Sequence, residues 1–322
     1  GTTTFHFDAL NRIERVTDRN DQDVTYTFAQ TNGNLERIDY PNATYSILGY
    51  DTMSRVNSIE HHRVSPSEVI GSFTYTLGLT GRREAVHEET RDSGGLHTGD
   101  VSYVYDDLDR LLEEHRSGSP AGYDLLWSYD NAGNRETETR GGTTRHYSYD
   151  DRDRLWCESS SSNPNCTGTT LVDYSWDANG NMTGRASEVF AWDQENRLRT
   201  HDGTSFAYDA DGIRYAKSEG GTETRYLVDG NRGLPEVLEE WTKVGTDPES
   251  LSMEYALGSG LLWQLDHSPG GEQRFFHQDG QLSTRVLTKG DSTVASRLSY
   301  EAFGKDVAPP SPIPTSMRYT GQ

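Results

Sequence analysis

The chain reads as an all-β fold built from tandem β-hairpins, and three observations predict it. A motif of an apolar or aromatic residue, any residue, an aromatic and then Asp recurs eight times. The copies alternate between two kinds of turn. The composition is rich in aromatics and poor in aliphatics, with 18 Tyr and 6 Trp among 322 residues.

The motif runs as Phe5-x-Phe7-Asp8, Leu48-x-Tyr50-Asp51, Tyr103-x-Tyr105-Asp106, Trp127-x-Tyr129-Asp130, Tyr147-x-Tyr149-Asp150, Tyr174-x-Trp176-Asp177, Phe190-x-Trp192-Asp193 and Phe206-x-Tyr208-Asp209. Tyr26-x-Phe28 and Phe73-x-Tyr75 keep the alternation and lose the Asp. Self-similarity of this kind is the mark of a repeat architecture. In a strand, alternate residues share a face, so each motif sets two aromatics on one side. The Asp ends the strand, because its carboxylate accepts a backbone amide two residues on and nucleates a turn.

After the Asp, one form ends in Arg plus an aliphatic residue: Arg12-Ile13, Arg55-Val56, Arg110-Leu111, Arg154-Leu155 and Arg197-Leu198. The other carries a glycine turn: Asn32-Gly33-Asn34, Gly81, Gly133-Asn134, Gly180-Asn181 and Gly212. Glycine there supplies the positive φ of a tight hairpin turn. The unit is thus a pair of hairpins. Along the Arg form, Asp-to-Asp steps from 8 to 51, 106, 150 and 193 are 43, 55, 44 and 43 residues, and the segment from Asp92 to Asp100 accounts for the long step as an inserted hairpin loop. The Arg four residues after its Asp is placed to pair with it, a contact that sets turn geometry more than stability. The array spans residues 1–229, and residues 230–322 form a C-terminal segment continuing the same sheet. Leu234 to Trp241 is the best helical stretch and equally fits a strand.

Leu, Ile, Val and Phe amount to about 57 residues, roughly 18%, which with a net charge of −21 falls in the disordered range. The aromatics decide for an ordered sheet with a thin core, since they favour a pleated, half-buried surface. A pI near 4.8 excludes a phosphate-backbone binder, whose affinity rests on Lys and Arg. No apolar run approaches the roughly 20 residues of a bilayer span, and Gly1 opens no signal-peptide pattern. The chain reads as a piece of a longer secreted or surface protein.

Cys157 and Cys166 flank a Ser/Asn/Pro loop. They read as a disulfide formed in an oxidising compartment, with free thiols the alternative and zinc disfavoured for want of a second ligand pair. The acids Asp106/Asp107/Asp109 and Asp150/Asp151/Asp153 recur at turn positions, which favours turn formation over acid–base or metal chemistry. Asp177-x-Asn179-x-Asn181 with Glu188 matches part of a calcium loop but has Met182 where glycine is required. His61-His62 reads as a surface pair. Neither a nucleophile elbow nor a phosphate loop occurs. Asn42-Ala-Thr, Asn165-Cys-Thr and Asn181-Met-Thr are glycosylation sequons. No catalytic residue, metal or cofactor is expected.

These residues resemble the Rhs/YD-repeat family, whose signature is Tyr-Asp, three or four variable residues, then Gly-Asn or Arg-Leu. Tyr105-Asp106 to Leu112, Tyr129-Asp130 to Arg135 and Tyr149-Asp150 to Leu155 match it most closely, and the resemblance covers essentially the whole chain. Later family landmarks follow in order: Tyr226 to Gly230, Phe276 to Gly280, Ser283-Thr284-Arg285, Tyr300 to Gly304 and Arg318 to Gln322. Leu282 departs from the glycine usual before Ser-Thr-Arg, which puts that turn in doubt. The resemblance implies a spiralling sheet forming a hollow shell, often around a C-terminal toxin, or a related adhesive barrel as in teneurins. The closing segment with its aspartyl autoprotease would follow Gln322, so no protease residue carries over. The expected role is a non-enzymatic shell whose partner is a C-terminal cargo domain of the same parent chain. The alternative is an adhesin or fibre that self-associates or binds cell-surface glycan; a calcium β-roll is disfavoured by the longer period.

Overall fold

The computed structural model describes residues 2–163, 165–231, 233–308 and 315–321; Gly1, Pro164, Arg232 and Gln322 lie outside the described residues. These form 27 strands and one 3₁₀ turn, Tyr319–Gly321. No helix among them is long and apolar enough to cross a membrane. The segment considered for a helix is a strand, Glu236–Val244, paired antiparallel with Thr222–Asp229. The chain divides into two compact units. One comprises Gly1–Val104, Glu114–Tyr123 and Glu254–Gln322, the other Tyr105–Glu113 and Asp124–Met253.

In both units successive strands pair antiparallel. The first unit runs so from Thr4–Phe7 to Gly95–Tyr105 and again from Leu261–Asp266 to Val294–Arg297. The second runs so from Tyr123–Tyr129 to Glu236–Val244. The insertion at Asp92 lengthens one hairpin into strands Arg83–Asp92 and Gly95–Tyr105, the latter 11 residues long.

A second irregularity recurs beyond nine of the motifs. Opposite the residue that precedes the turn, the returning strand carries one extra residue, seen as a register shift: Phe7 opposes Ile13 while His6 opposes Arg15, leaving Glu14 over. Glu36, Asn57 and Glu84 are left over in the same way in the first unit. Glu136, Trp156, Thr183, Arg199 and Tyr215 are left over in the second. Such bulges bend a strand and re-aim a side chain; Glu14, Glu36, Glu84, Glu136, Trp156, Arg199 and Tyr215 are all exposed.

The thin core expected from composition describes the second unit, whose aromatics are mostly half-buried. The first unit differs. There the C-terminal strands pack across the face of the N-terminal hairpins, so Val16, Val24 and Tyr26 share a core with Ala256, Leu262, Trp263 and Phe275. Ile59, Phe73, Tyr75, Val86 and Val101 form another. Aliphatic residues are scarce in the chain as a whole but concentrated where two layers meet, which supplies the apolar burial that orders the unit.

Gly71 marks how closely the layers approach. A Cβ there would stand 3.2 Å from the His61 ring and 3.3 Å from Val286. Gly71→Val is expected to lower the unfolding free energy by about 1–3 kcal/mol, read from the denaturant midpoint. Gly290→Ala, where an added Cβ meets nothing within 4 Å, is expected to shift it by less than about 0.5 kcal/mol.

Candidate functional site: a turn ladder and a buried arginine centre

The Asp of each repeat opens a five-residue turn. Asp106 N–H donates to the Arg110 carbonyl and Asp109 N–H to the Asp106 carbonyl, both at 3.0 Å. Asp106 Oδ1 accepts from the backbone N–H of Leu108 and Arg110. The same pattern holds at Asp8, Asp51, Asp150 and Asp193. The fourth turn residue has positive φ in both forms: Asn11, Ser54, Asp109, Asp153 and Asn196 in the Arg form, Gly81, Gly133, Gly180 and Gly212 in the other, with Gly33 the fifth residue of a turn one residue longer, Ala29 to Asn34. Glycine is therefore one solution to this position; Asn and Asp, which tolerate the left-handed region, are another.

What distinguishes the two forms is the fifth residue. In the Arg form, Nε donates to the turn's own Asp Oδ2 at 2.6–2.8 Å. Nη1 then reaches a carbonyl of the following turn: Arg12 to Gly33, Arg55 to Gly78, Arg110 to Asp130, Arg154 to Asp177 and Arg197 to Asp209, at 2.8–3.3 Å. In the Gly-Asn form the amide does both jobs. Asn134 Nδ2 donates to Asp130 Oδ2 and to Asp153 Oδ1, each at 3.0 Å. Asn181 Nδ2 donates to Asp177 Oδ2 and to Asn196 Oδ1. The five arginine turns and these two asparagine turns thus bond their successors, whereas Asn34 Nδ2 has no hydrogen-bond partner and Ile213 offers no side-chain donor.

The aromatic before the Asp ties each hairpin to its predecessor. Tyr50 OH donates to Leu35 O, Tyr129 to Leu111 O, Tyr149 to Arg135 O and Tyr208 to Leu198 O. The indoles Trp176 and Trp192 donate to Leu155 O and Met182 O. Every acceptor is the residue just past the previous turn, so Tyr and Trp serve where Phe offers no donor. The guanidinium of Arg110 also lies over the Tyr129 ring, that of Arg154 over Trp176 and that of Arg197 over Tyr208.

The carboxylates register this. Asp8, Asp51, Asp106 and Asp193 titrate below the ordinary value, first because the arginine's backbone N–H donates to them. The Arg154 side chain holds Asp150 down to about 2. These groups hold their stabilisation above the ordinary value of 3.8 and lose it as pH falls below that, Asp150 as pH falls toward 2.

Further turns of this kind carry weaker signatures in the sequence. Asp18 and Asp279 each bond the amides two and four residues on, with Asp21 and Leu282 at positive φ. Leu282 therefore occupies an ordinary fourth position, and the doubt over that turn is resolved. Glu301 opens an equivalent turn closed by Gly304 and Lys305. A polar residue four positions before the strand restart was the signal available.

The C-terminal landmarks converge in the first unit around Arg285, the bulge residue left over between Thr284 and Val286. Here the bulge presents the side chain inward, 5% exposed. Arg285 Nη1 donates to Asp279 Oδ2 at 3.0 Å, Nη2 to Glu88, and Nε to Leu298 O at 3.0 Å. Glu88 also binds Arg116, whose Nη2 reaches Ser119 O. Burial opposes the charge on Arg285, but Glu88 and Asp279 outweigh it and hold the arginine protonated. Burial likewise pushes Glu88 up, and Arg285 with Arg116 reverses it to below the ordinary value. Ser283 Oγ accepts from Thr320 N–H, and the Tyr319 ring lies against Gly304, within 2.7 Å of where a Cβ would stand. Gln322, which ends that landmark, lies outside the described residues.

Other candidates resolve individually. Cys157 and Cys166 form a disulfide and are both 2% exposed. Asp177 is engaged by Asn181, while Glu188 binds Arg185 and His201, so the calcium pattern does not converge. Glu188, His201 and Asp202 are the one trio among the described residues with potential ligand atoms within 4.8 Å. The surface reading of His61-His62 is corrected: strand alternation buries His61 against the second layer, while His62 stacks on Tyr45 at 4.8 Å. Asn42 is buried and donates to Thr288 Oγ1 and Lys289 O, so a glycan there would break both bonds. Asn181 is likewise engaged.

No family model matches the chain, and no curated relative matches it. Its antiparallel hairpin-repeat sheet is nonetheless a fold shared with solved structures. Among solved structures, TcdB2-TccC3 is similar with a TM-score of 0.75 and 15% identity, covering 99% of this chain and 18% of that one. TcdB2-TccC3-TEV gives 0.74, and the Photorhabdus luminescens Tc holotoxin pore carrying TccC3-D651A gives 0.70, at the same identity and coverage. The chain spans less than a fifth of these structures' length.

Arg154→Lys is expected to cost about 1 kcal/mol, because an ammonium cannot bridge Asp150 and the Asp177 carbonyl as a planar fork does; urea melts would read the loss. Arg285→Met leaves buried Asp279 without its cation and Glu88 with Arg116 alone, and is expected to cost about 3–5 kcal/mol in the same assay. Reducing the disulfide, whose cysteines are nine residues apart, is expected to cost about 2–3 kcal/mol, read as a lower melting midpoint with dithiothreitol.

Proposed function

We propose that the chain is a non-enzymatic wall segment of an Rhs/YD-repeat shell, secreted or displayed at a cell surface, enclosing a C-terminal toxin or other cargo domain of its parent chain. The observation that carries this reading is the turn ladder. A wall around a cargo must extend strand by strand, and the bonds that the five arginine turns and two asparagine turns make to their successors provide that extension. The resemblance to TcdB2-TccC3 over 99% of the chain supports it, as do repeat acids committed to turns.

In this reading the array is residues 1–229, and residues 230–322 belong to the segment leading to the cargo. The test is protease protection in a parent chain carrying both this segment and the domain downstream of it. That domain is expected to resist protease while the array is folded and to be cut at least tenfold faster once array variants open the wall. Equal cleavage with and without the array would sink the enclosure reading and favour an outward-facing adhesin.

A further inference from the structure

In the first unit, strands Val56–Arg63 and Gln273–Gln278 meet through two imidazoles. His61 and His277 are 2% and 0% exposed, with ring centroids 5.1 Å apart. Their immediate partners are polar but uncharged. His61 Nδ1 lies 2.7 Å from Ser46 Oγ and Nε2 lies 3.0 Å from the Gln278 carbonyl. His277 Nε2 lies 2.9 Å from Thr288 Oγ1, whose oxygen already accepts from Asn42. Phe73 meets His61 edge-on and Tyr40 meets His277 edge-on.

A carbonyl only accepts, so His61 carries its proton on Nε2 and takes a hydrogen bond from Ser46 on Nδ1. Thr288 Oγ1 accepts from Asn42 and keeps a second lone pair and its own proton, so it pairs with His277 Nε2 in either tautomer, while His277 Nδ1 is a buried atom without a hydrogen-bond partner. Both rings are neutral and neither has a carboxylate to receive a second proton. Glu88 and Asp279, the acids of this seam, are committed to Arg285. Burial above all, and then His62 and Arg285, oppose positive charge on His61; burial and then His61 oppose it on His277.

We propose that His61 and His277 form an acid-operated latch: a proton taken up by either ring releases the C-terminal strands from the hairpin face they cover. The direction follows from linkage. Burial lowers His61 from 6.5 to about 3 and depresses His277 likewise. A histidine in an opened seam takes up its proton near its ordinary value, so the latch is full above about pH 6.5 and weakens progressively toward pH 3. Glu88, already below the ordinary carboxylate value, keeps its pairing until lower pH, so the histidines act first. Among the described residues the second unit has no buried histidine.

Hydrogen exchange on the full 322-residue chain, corrected for intrinsic rates, tests this at pH 7, 5.5 and 4.5. Gln273–Gln278 and Thr284–Lys289 are expected to lose at least tenfold protection at the lowest pH, while Arg135–Arg140 and Thr143–Tyr149 keep theirs. The double variant His61→Gln, His277→Gln is expected to retain protection in all four strands. Loss at the same pH in variant and wild type, or no loss in the wild type, overturns the proposal. Should the double variant fail to fold, histidine Cε1 resonances of the wild type decide. Rings that stay neutral until the strands open support the latch, and a ring titrating near pH 6.5 in the intact fold overturns it.

Discussion

The carboxylate of an aspartate accepting two backbone amides of its own turn is the constraint on which this molecule rests. That contact fixes where each strand ends, and its second oxygen remains free for one further donor. The donor, arginine or asparagine, is long enough to touch the next turn as well. Local turn chemistry and propagation of the sheet are thus one arrangement. That Asp106 and Asp150 titrate below the ordinary carboxylate value is its electrostatic trace.

The two units use this arrangement under different conditions. In the second, ring edges, guanidinium faces and hydroxyl-to-carbonyl bonds do the packing, and few side chains are fully buried. In the first, a layer of C-terminal strands supplies an apolar core together with a charged centre. Arg285 shows how one backbone device serves both. At the position where the array exposes Glu84 or Arg199, the bulge of strand Thr284–Lys289 presents an arginine inward, where its five donors are nearly all needed.

The strands and the turns of the array were legible because aromatic-x-aromatic-Asp combines a period-2 signal with a strong breaker four or five residues before the next strand. The alternation of turn types was legible as a pattern but not as a mechanism, since nothing local shows that Arg154 reaches a carbonyl 23 residues away. Asp18 and Asp279 were hidden because neither has an aromatic directly before it nor a glycine at the fourth turn position, which Asp21 and Leu282 occupy. His61 was misread because its burial is conferred by strands more than 200 residues later, and strand alternation alone leaves open which of two neighbouring histidines faces inward. The charged centre at Arg285 was invisible for the same reason: its four participants come from three distant segments.

The ladder also has a parity. An arginine turn hands its bond to a glycine turn and an asparagine turn hands its own to an arginine turn, each through different atoms. Removing a single hairpin would set two turns of one kind side by side, and between two glycine turns the asparagine amide would lose the side-chain oxygen that Asp153 or Asn196 supplies. A deletion or duplication that keeps this alternation therefore takes a whole pair of hairpins, about 43 residues of sequence.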